Sequence, residues 1–290
     1  MTRSPGGGPY NTARALARLG VPTAFVGHLS TDQDGHILAE CLRADGASLE
    51  LASFGPEPTT TAIARIGPDG LAEYEFSIDG TSAPNLTLQM IPTELPSDVQ
   101  AIHVGTLGLV LQPMASSLTE LARRGEGGPL IMLDPNIRPA LMASADYRPR
   151  LEWFISQSTI VKASIEDLAW LYPESDYRAA ARRMLKIGVR LLLVTLGPRG
   201  AYGTTGSAHV NVPAVPVEVV DTIGAGDAFG AAVLTWLYDR NVLHRTLSLS
   251  AEELQSLVEY SCLAAALTCA RSGAEPPTRA EMENSRITQK

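Results

Sequence analysis

Residues Asp221–Asp227 combine a glycine-rich turn with a carboxylate at its end. The segment reads Asp-Thr-Ile-Gly-Ala-Gly-Asp and is followed by an apolar stretch typical of a helix. Glycines allow a tight turn, and the first amide groups of a helix have no partners inside that helix. Gly224, Ala225 and Gly226 therefore predict an anion-binding turn at the positive end of a helix dipole.

Asp227 falls in the first turn of this predicted helix, beside those amides. A carboxylate there can accept a proton from a hydroxyl while the amides stabilise a transferring phosphoryl group. The same position is also typical of a helix cap, and the residue alone does not separate the two interpretations. No Lys-Ser or Lys-Thr follows the turn, as a Walker loop requires, and Gly230 lies one position too late for a dinucleotide fingerprint.

A second glycine-rich segment, Gly6–Asn11, precedes a helix predicted over residues 11–19. From the residues alone, Asn11 is an N-cap and the glycines form a flexible loop. Polar residues or glycines also follow the predicted strands, at 105–106, 134–136, 162–164 and 195–197. Because ligands bind at the carboxyl ends of parallel strands, these segments are expected to share one edge of a sheet.

Alternating strands and helices must position these segments. Strands are predicted at 23–27, 101–104, 130–134, 159–162, 191–195, 201–204, 209–212 and 215–220, and helices at 34–44, 114–124, 165–172, 177–187, 227–239 and 251–269. The pattern predicts one α/β domain over 1–290, a three-layer α/β/α Rossmann-like fold with a mostly parallel sheet. Thr-rich alternation around residues 67–70 predicts a hairpin, interpreted as a small β lid at about 57–80.

Composition narrows the class of protein. The 290 residues are 45% hydrophobic, enough for a large core, and carry a net charge of -8 without a long run of Lys or Arg. Nucleic acid and an anionic membrane are therefore not expected partners. Cys41, Cys262 and Cys269 form no CxxC pair, which predicts reduced thiols and a cytoplasmic protein. No apolar run is long enough to span a bilayer.

Residues 221–227 closely resemble the C-terminal signature of PfkB-type (ribokinase-like) carbohydrate kinases. In that family the final Asp is the catalytic base and the Gly-Ala-Gly amides form the anion hole. The resemblance implies these roles for Asp227 and for Gly224, Ala225 and Gly226. Ile223 replaces the usual second Thr, which weakens the case for a monovalent cation (K⁺) near Asp221.

Residues 6–20 are similar to the other signature of the family. The resemblance implies that Gly6, Gly7 and Asn11 bind sugar hydroxyls. Gly8 replaces the usual Ser, Ala or Lys. Residues 134–139 resemble the DxNxR segment of fructokinase-like members, in which the Arg faces the sugar or the phosphate path. Arg138 is assigned to the sugar on that basis, with a surface salt bridge as an equal alternative.

Residues 162–167 resemble a Lys-x-Ser-x-x-Glu motif that organises magnesium and phosphate through water. The resemblance places Lys162 and Ser164 on the ATP side and Asp167 near Mg²⁺ through water. A capping box from Ser164 to Asp167 is a compatible interpretation. The other positions implied to border ATP are Thr195, Gly197, Gly200 and Cys262, the last where relatives often have Asn.

One family segment, a strand ending in Gly-Glu-x-x-x-Asp before the glycine loop, has no counterpart in this sequence. Its Asp hydrogen-bonds sugar hydroxyls in the family. A start codon placed too far downstream, a truncation and a real loss are the three explanations, and the first is favoured because the later motifs are present. A real loss would expose a core position of the sheet and weaken sugar binding by about 1–3 kcal/mol.

The resemblance implies ATP-dependent phosphorylation of a sugar hydroxyl, with ATP and Mg²⁺ as cofactors and a homodimer formed through the lid. Fructose is the first substrate expected, because the DPNxR and Lys-x-Ser segments look most like fructokinases. 2-Keto-3-deoxygluconate and ribose remain open. A non-catalytic sugar- or nucleotide-binding protein is the alternative of another class, and the intact Gly-Ala-Gly-Asp argues against it.

Overall fold

The computed structural model describes residues 4–66, 72–142 and 146–288. The helices are α1 (Gly8–Arg18), α2 (Gln33–Asp45), α3 (Met114–Arg124), α4 (Tyr147–Gln157), α5 (Ile165–Leu171), α6 (Tyr177–Lys186), α7 (Ala225–Asp239), α8 (Ala251–Cys269) and α9 (Arg279–Thr288). The strands are β1 (His28–Ser30), β2 (Ser53–Gly55), β3 (Thr61–Ile66), β4 (Ala72–Ser77), β5 (Ala101–Gly105), β6 (Leu130–Asp134), β7 (Ile160–Ser164), β8 (Leu191–Thr195), β9 (Ala201–Thr204) and β10 (His209–Val212).

Six strands form the main sheet in the order β10-β9-β8-β7-β6-β5. The four strands β5 to β8 are parallel, while β9 and β10 run antiparallel at one edge. β1 and β2 form a separate two-stranded parallel sheet. The parallel strands place the carboxyl ends of β5 to β8, and the polar residues that follow them, along one edge.

Two apolar clusters cover opposite faces of this sheet. Leu130, Met132 and Leu191 pack with residues of α1, α7 and α8, whereas the alternate residues Leu133 and Leu192 pack in the cluster that includes α4, α5 and α6. Successive side chains of a strand point to opposite faces, so a strand buried on both faces reads as a continuous apolar run. The predicted three-layer α/β/α fold with a mostly parallel sheet is confirmed.

Two predicted strands differ from the structure. The strand predicted at 23–27 is a single bridge from Ala24 to Ser48, and the regular strand follows at β1. The strand predicted at 215–220 does not form, and Val219 and Val220 are each 61% exposed. The amides of Val220 and Asp221 donate instead to the carbonyl of Cys269, because α8 rather than a strand lies beside this segment.

β3 and β4 pair as an antiparallel hairpin, from Thr61 opposite Ser77 to Ile66 opposite Ala72, as the alternating sequence predicts. The predicted Pro-Asp-Gly turn between them lies outside the described residues. The base of the hairpin is fixed to the rest of the protein, because the Thr59 amide and hydroxyl donate to Asp32 at 2.7 and 2.6 Å. Asp32 is also the N-cap of α2.

Charged side chains hold α1, which carries the first glycine segment. Arg14 donates to Asp45 at the end of α2 at 2.5 Å, and Glu275 pairs with both Arg14 and Arg18. Arg14 and Asp45 have side chains that are 8% and 9% exposed. Burial of this pair fixes α1 relative to α2 and the segment before α9.

No described helix is long and apolar enough to span a membrane.

The turn between β8 and β9 contains two glycines that differ in what a side chain would meet. Both have positive φ, +59° at Gly197 and +92° at Gly200. A Cβ on Gly197 would meet nothing within 4 Å, but one on Gly200 would lie 2.0 Å from the Val212 carbonyl oxygen.

We therefore expect Gly197→Ala to lower the free energy of unfolding by about 1–2 kcal/mol, the usual penalty for a left-handed alanine. Gly200→Ala should lower it clearly further, because the β9–β10 backbone must also move. Chemical denaturation of the two variants and the wild type measures the difference. Equal losses in the two variants would show that the Val212 backbone accommodates a side chain at Gly200.

Candidate active site

α7 begins at Ala225, and contacts with neighbouring segments fix the conformation of the turn before it. Gly224 is the N-cap in the left-handed region, at φ +80°, with no side-chain cap. A Cβ there would lie 2.6 Å from the Cβ of Ala274. Asp221 accepts from the amides of Ile223 and Gly273 at 3.0 and 2.9 Å, which fixes the turn. No side chain caps the first amides of α7, and the Ala225 amide donates to the Thr222 carbonyl at 3.3 Å.

Asp227 does not cap α7. Its side chain is buried, and its Oδ2 accepts a hydrogen bond of 2.8 Å from Asn11 Nδ2. The prediction of Asn11 as an N-cap is wrong, because α1 already begins at Gly8 with Gly7 as its N-cap. Starting the helix one turn earlier places Asn11 inside α1, on the side that faces α7. The two signature segments thus meet through this hydrogen bond.

Asp227 is poised to exchange a proton near neutral pH. Burial, followed by the negative charge of Asp134, raises its pKa to about 7. Lys162 acts in the opposite direction, as do the hydrogen bond from Asn11 and the charge of Arg138. A general base is most effective when its pKa lies close to the working pH.

A buried ion pair lies directly behind the glycine turn. Lys162, near the end of β7, donates to Asp134 Oδ2 at 2.7 Å, and their side chains are 6% and 3% exposed. A Cβ on Gly226 would lie 2.9 Å from Lys162 Nζ, so the ammonium group contacts the turn itself. Although burial opposes the charged form, Asp134 holds the pKa of Lys162 above its usual value. The ammonium group therefore lies beside the anion-binding turn as a fixed positive charge.

Asp167 forms the capping box that its spacing from Ser164 predicts. Ser164 Oγ accepts from the Asp167 amide, and Asp167 Oδ2 accepts from the Ser164 amide at 2.8 Å. Its Oδ1 accepts from the Ile137 amide at 2.7 Å, which ties α5 to the loop after β6. Burial and then the charge of Asp134 raise the pKa of Asp167, against the effect of these amides.

Arg138 and the first glycines are the remaining positions expected to contact the sugar. Arg138 is half-buried, donates to its neighbouring Ile137 carbonyl at 3.2 Å, and lowers the Asp227 pKa through its charge. This position favours a role for Arg138 in the site over the alternative of a surface salt bridge. A Cβ on Gly6 would lie 4.0 Å from Asn11 Oδ1, and Gly7 has φ +131°, a conformation that side chains rarely adopt.

The predicted ATP-side residues divide into two groups. Ser164 and Thr195 are paired at the ends of β7 and β8, and the turn that contains Gly197 and Gly200 follows Thr195. Cys262 instead packs within the apolar cluster of α8 at 5% exposure, and burial raises its pKa to about 12. The environment of Cys262 therefore favours a packing role over contact with the adenine of ATP.

Sequence reasoning assigned no role to Asp134, although it noted the polar residues after β6. The available signal was a carboxylate at the end of β6 and a lysine near the end of β7. These strands are neighbours in the sheet, with Leu133 paired to Val161. Residues at the same end of adjacent parallel strands lie about 5 Å apart, within reach of an ion pair.

The arrangement defines a class of protein: an α/β fold with a buried carboxylate next to a glycine turn, suited to phosphoryl transfer to a hydroxyl. A model of the pfkB family of carbohydrate kinases matches residues 1–281. The chain therefore belongs to the pfkB family of carbohydrate kinases.

The chain is similar to known sugar kinases both in sequence and in structure. The chain is 37% identical over 249 residues to a fructokinase of Rhizobium leguminosarum bv. trifolii, covering 86% of this chain and 76% of the relative. A fructokinase of Vibrio cholerae O395, solved with fructose, ADP and calcium, superposes with a TM-score of 0.85 at 25% identity, covering 98% of this chain and 91% of the other. An E. coli structure described as a Ribokinase II, with ATP and Mg²⁺, gives 0.86 at 26% identity, covering 98% and 89%.

The buried Lys162–Asp134 pair should contribute to stability in a way that substitutions can measure. Lys162→Met leaves a carboxylate buried without its cation, which we expect to lower the free energy of unfolding by about 3–5 kcal/mol. The double variant Lys162→Met/Asp134→Asn removes both charges and should lose clearly less. Urea denaturation of the wild type, both single variants and the double variant measures the coupling. Additive losses would contradict a direct interaction between the two side chains.

Proposed function

We propose that this chain is an ATP-dependent sugar kinase of the fructokinase type. The observation that carries the proposal is Asp227: a buried carboxylate with a pKa near 7, beside the glycine turn and bonded to Asn11 of the other signature. A protein that only binds sugar or nucleotide has no use for a base poised in this way. The site therefore favours catalysis over the non-catalytic alternative.

In the proposed reaction, one carboxylate oxygen of Asp227 takes the proton of the sugar hydroxyl while the hydroxyl oxygen forms a bond to the γ-phosphorus. The bond from that phosphorus to the leaving oxygen of ADP breaks at the same time. Gly224, Ala225 and Gly226 direct amides at the charge that develops, and Lys162 adds a fixed positive charge behind them. Asn11 keeps the carboxylate oriented by occupying its Oδ2.

Bound MgATP supplies the phosphoryl group, and its metal neutralises the phosphate charge. The described residues contain no group of three or more His, Cys, Asp or Glu side chains that could hold a metal ion. This fits Mg²⁺, which is usually held by one or two carboxylates, by waters and by the phosphates themselves. Asp167 is the carboxylate proposed to reach it through water, and Ser164, Thr195, Gly197 and Gly200 are proposed to border the nucleotide. A K⁺ site near Asp221 has little support, because Ile223 stands where the family usually has a second Thr.

Gly6, Gly7, Asn11 and Arg138 are proposed to hold the sugar. Fructose is the proposed acceptor, since relatives at 37% and 31% identity are fructokinases and a structural neighbour, a fructokinase, was solved with fructose. 2-Keto-3-deoxygluconate and ribose are the alternatives. A coupled ADP-release assay over these three sugars decides among them, and a higher kcat/KM for either alternative would overturn the choice of fructose.

We also propose that the β3–β4 hairpin is a lid that excludes water, and that two copies of the chain associate through it. The exposed residues Thr61, Glu75 and Ser77 lie on strands that pair only with each other among the described strands, which supports this role. Sedimentation equilibrium tests the association, and a monomer at micromolar concentration would contradict it.

The three cysteines are free thiols, which supports the proposed cytoplasmic location.

Removing the base tests the mechanism directly. We expect Asp227→Asn to lower kcat by about 10²–10⁴-fold, the usual contribution of a general base, with little change in ADP affinity. An unchanged rate of sugar-dependent ADP formation would refute the assignment of Asp227.

The stability of the same variant is its internal control. A carboxyl group whose pKa is raised on folding stabilises the protein at low pH, and that contribution disappears as the pH rises through the folded pKa of about 7. At pH 8 the wild type therefore holds an unfavourable buried charge that Asp227→Asn lacks. The variant should melt at the same temperature or higher at pH 8, so a loss of activity cannot be ascribed to unfolding.

The pH profile provides a further prediction. Since Asp227 must be ionised to accept a proton, kcat/KM for the sugar should rise with pH and level off above about 7. Asp134→Asn removes the neighbouring charge that raises the Asp227 pKa, so the rising limb should move to lower pH. Initial rates at saturating MgATP from pH 5 to 9 measure the shift. A limb that stays in place in a folded Asp134→Asn variant would assign the titration to another group.

A further inference from the structure

Two residues at the active edge of the sheet have an unusual backbone. Thr106 follows β5 with φ +54°, and Asn136 follows β6 with φ +41°. The remaining described non-glycine residue with positive φ, Asn241, comes just after α7, where a left-handed residue commonly ends a helix. Thr106 and Asn136 have no such local explanation, and a β-branched residue is a clear outlier in this region. Strain of this kind persists where surrounding structure imposes it and concentrates at functional sites.

The side chains of these two residues converge on the base. The reference point is the position that a Cβ on Gly8 would take, at the start of α1. Thr106 Oγ1 lies 2.5 Å from it, Asn136 Nδ2 lies 3.4 Å from it, and Asp227 Oδ1 lies 3.5 Å from it. Three polar atoms, two from the segments that follow β5 and β6 and one from α7, therefore lie close to the space beside Gly8.

These atoms have hydrogen-bonding capacity to spare. Within the described part of the chain, neither Thr106 Oγ1, Asn136 Nδ2 nor Asp227 Oδ1 takes part in a hydrogen bond, whereas Asp227 Oδ2 is occupied by Asn11. Thr106 and Asn136 are both half-buried, so their polar atoms remain open to a ligand. A hydroxyl group has one donor and two acceptor lone pairs, which match a carboxylate oxygen, a threonine hydroxyl and an amide NH₂ group.

We propose that Thr106 and Asn136 contact the acceptor sugar and hold one of its hydroxyl groups beside Asp227 Oδ1. The inference rests on the proposed sugar kinase activity and adds two specificity-determining residues to it. The unfavourable backbone of each residue aims its side chain at this position. The surrounding structure imposes this strain, and the hydrogen bonds that it makes possible form when sugar is bound.

The same geometry accounts for Gly8. A side chain there would strike Thr106 Oγ1, since 2.5 Å is shorter than any normal contact of a Cβ atom. Gly8, which stands where the family more often has Ser, Ala or Lys, therefore lets the threonine hydroxyl reach the pocket. Gly8 in place of the usual larger residue and the strained conformation of Thr106 thus have the same structural explanation.

Thr106→Val tests the hydroxyl with little change of shape, because both residues are β-branched and equally strained at positive φ. We expect its Kd for fructose, measured by calorimetry without nucleotide, to rise about tenfold, the effect of one lost hydrogen bond. Thr106→Ser retains the hydroxyl and should stay within about twofold of the wild type. The Kd for ADP should not change in either variant.

Asn136→Gly tests the second residue and has a signature that a structural role would not produce. Glycine adopts positive φ without penalty, so the variant should be at least as stable as the wild type. Its Kd and KM for fructose should nevertheless rise about tenfold. Equal or higher melting temperature together with weaker sugar binding is the expected result.

Failure of this inference is distinguishable from failure of the proposed function. If the wild type phosphorylates fructose, and Thr106→Val and Asn136→Gly both bind fructose as the wild type does, the two residues do not contact the sugar. If Asn136→Gly instead loses stability, its conformation is structural and the proposal for it is wrong. A wild type that phosphorylates none of the sugars tested would refute the kinase assignment itself, whatever the variants bind.

Discussion

The hydrogen bond from Asn11 to Asp227 is the contact on which the site depends. It joins residues that are 216 positions apart, one on α1 and the other in the first turn of α7. The contact requires that α1 start at Gly8 and that the Arg14–Asp45 pair hold it against α2. It also requires a tight left-handed turn at Gly224, which starts α7 so that Asp227 lies in its first turn. The apolar packing of α1 and α7 in one cluster brings these requirements together.

The charges around Asp227 explain why the pKa of this buried carboxylate lies near 7. Burial and then the charge of Asp134 raise the pKa of Asp227, while the charge of Lys162 lowers it. Lys162 serves two neighbours at once, since it pairs with Asp134 and contacts the turn at Gly226. A single lysine thus links Asp134 to the glycine turn before α7.

The parallel sheet determines which residues can meet. β5, β6, β7 and β8 end at one edge, and the residues after them supply Thr106, Asn136, Ser164 and the turn after Thr195. Each strand end delivers a short segment whose backbone is set by its neighbours rather than by its own preference. This explains why two non-glycine residues adopt left-handed conformations there, at a free-energy penalty of about 1–3 kcal/mol each.

The sequence by itself determined the alternation of strands and helices, the capping box from Ser164 to Asp167, and the glycine turn before α7, because periodicity, caps and glycine turns depend on neighbours a few residues away. Two local inferences were wrong for the same reason. The apolar stretch 215–220 lies beside α8 instead of in a sheet, and Asn11 binds Asp227 instead of capping α1. Only the tertiary structure decided the Lys162–Asp134 pair, the raised pKa of Asp227 and the convergence of Thr106 and Asn136 on Gly8. Each of these depends on burial and on distances between segments far apart in the chain, which no local pattern of residues encodes.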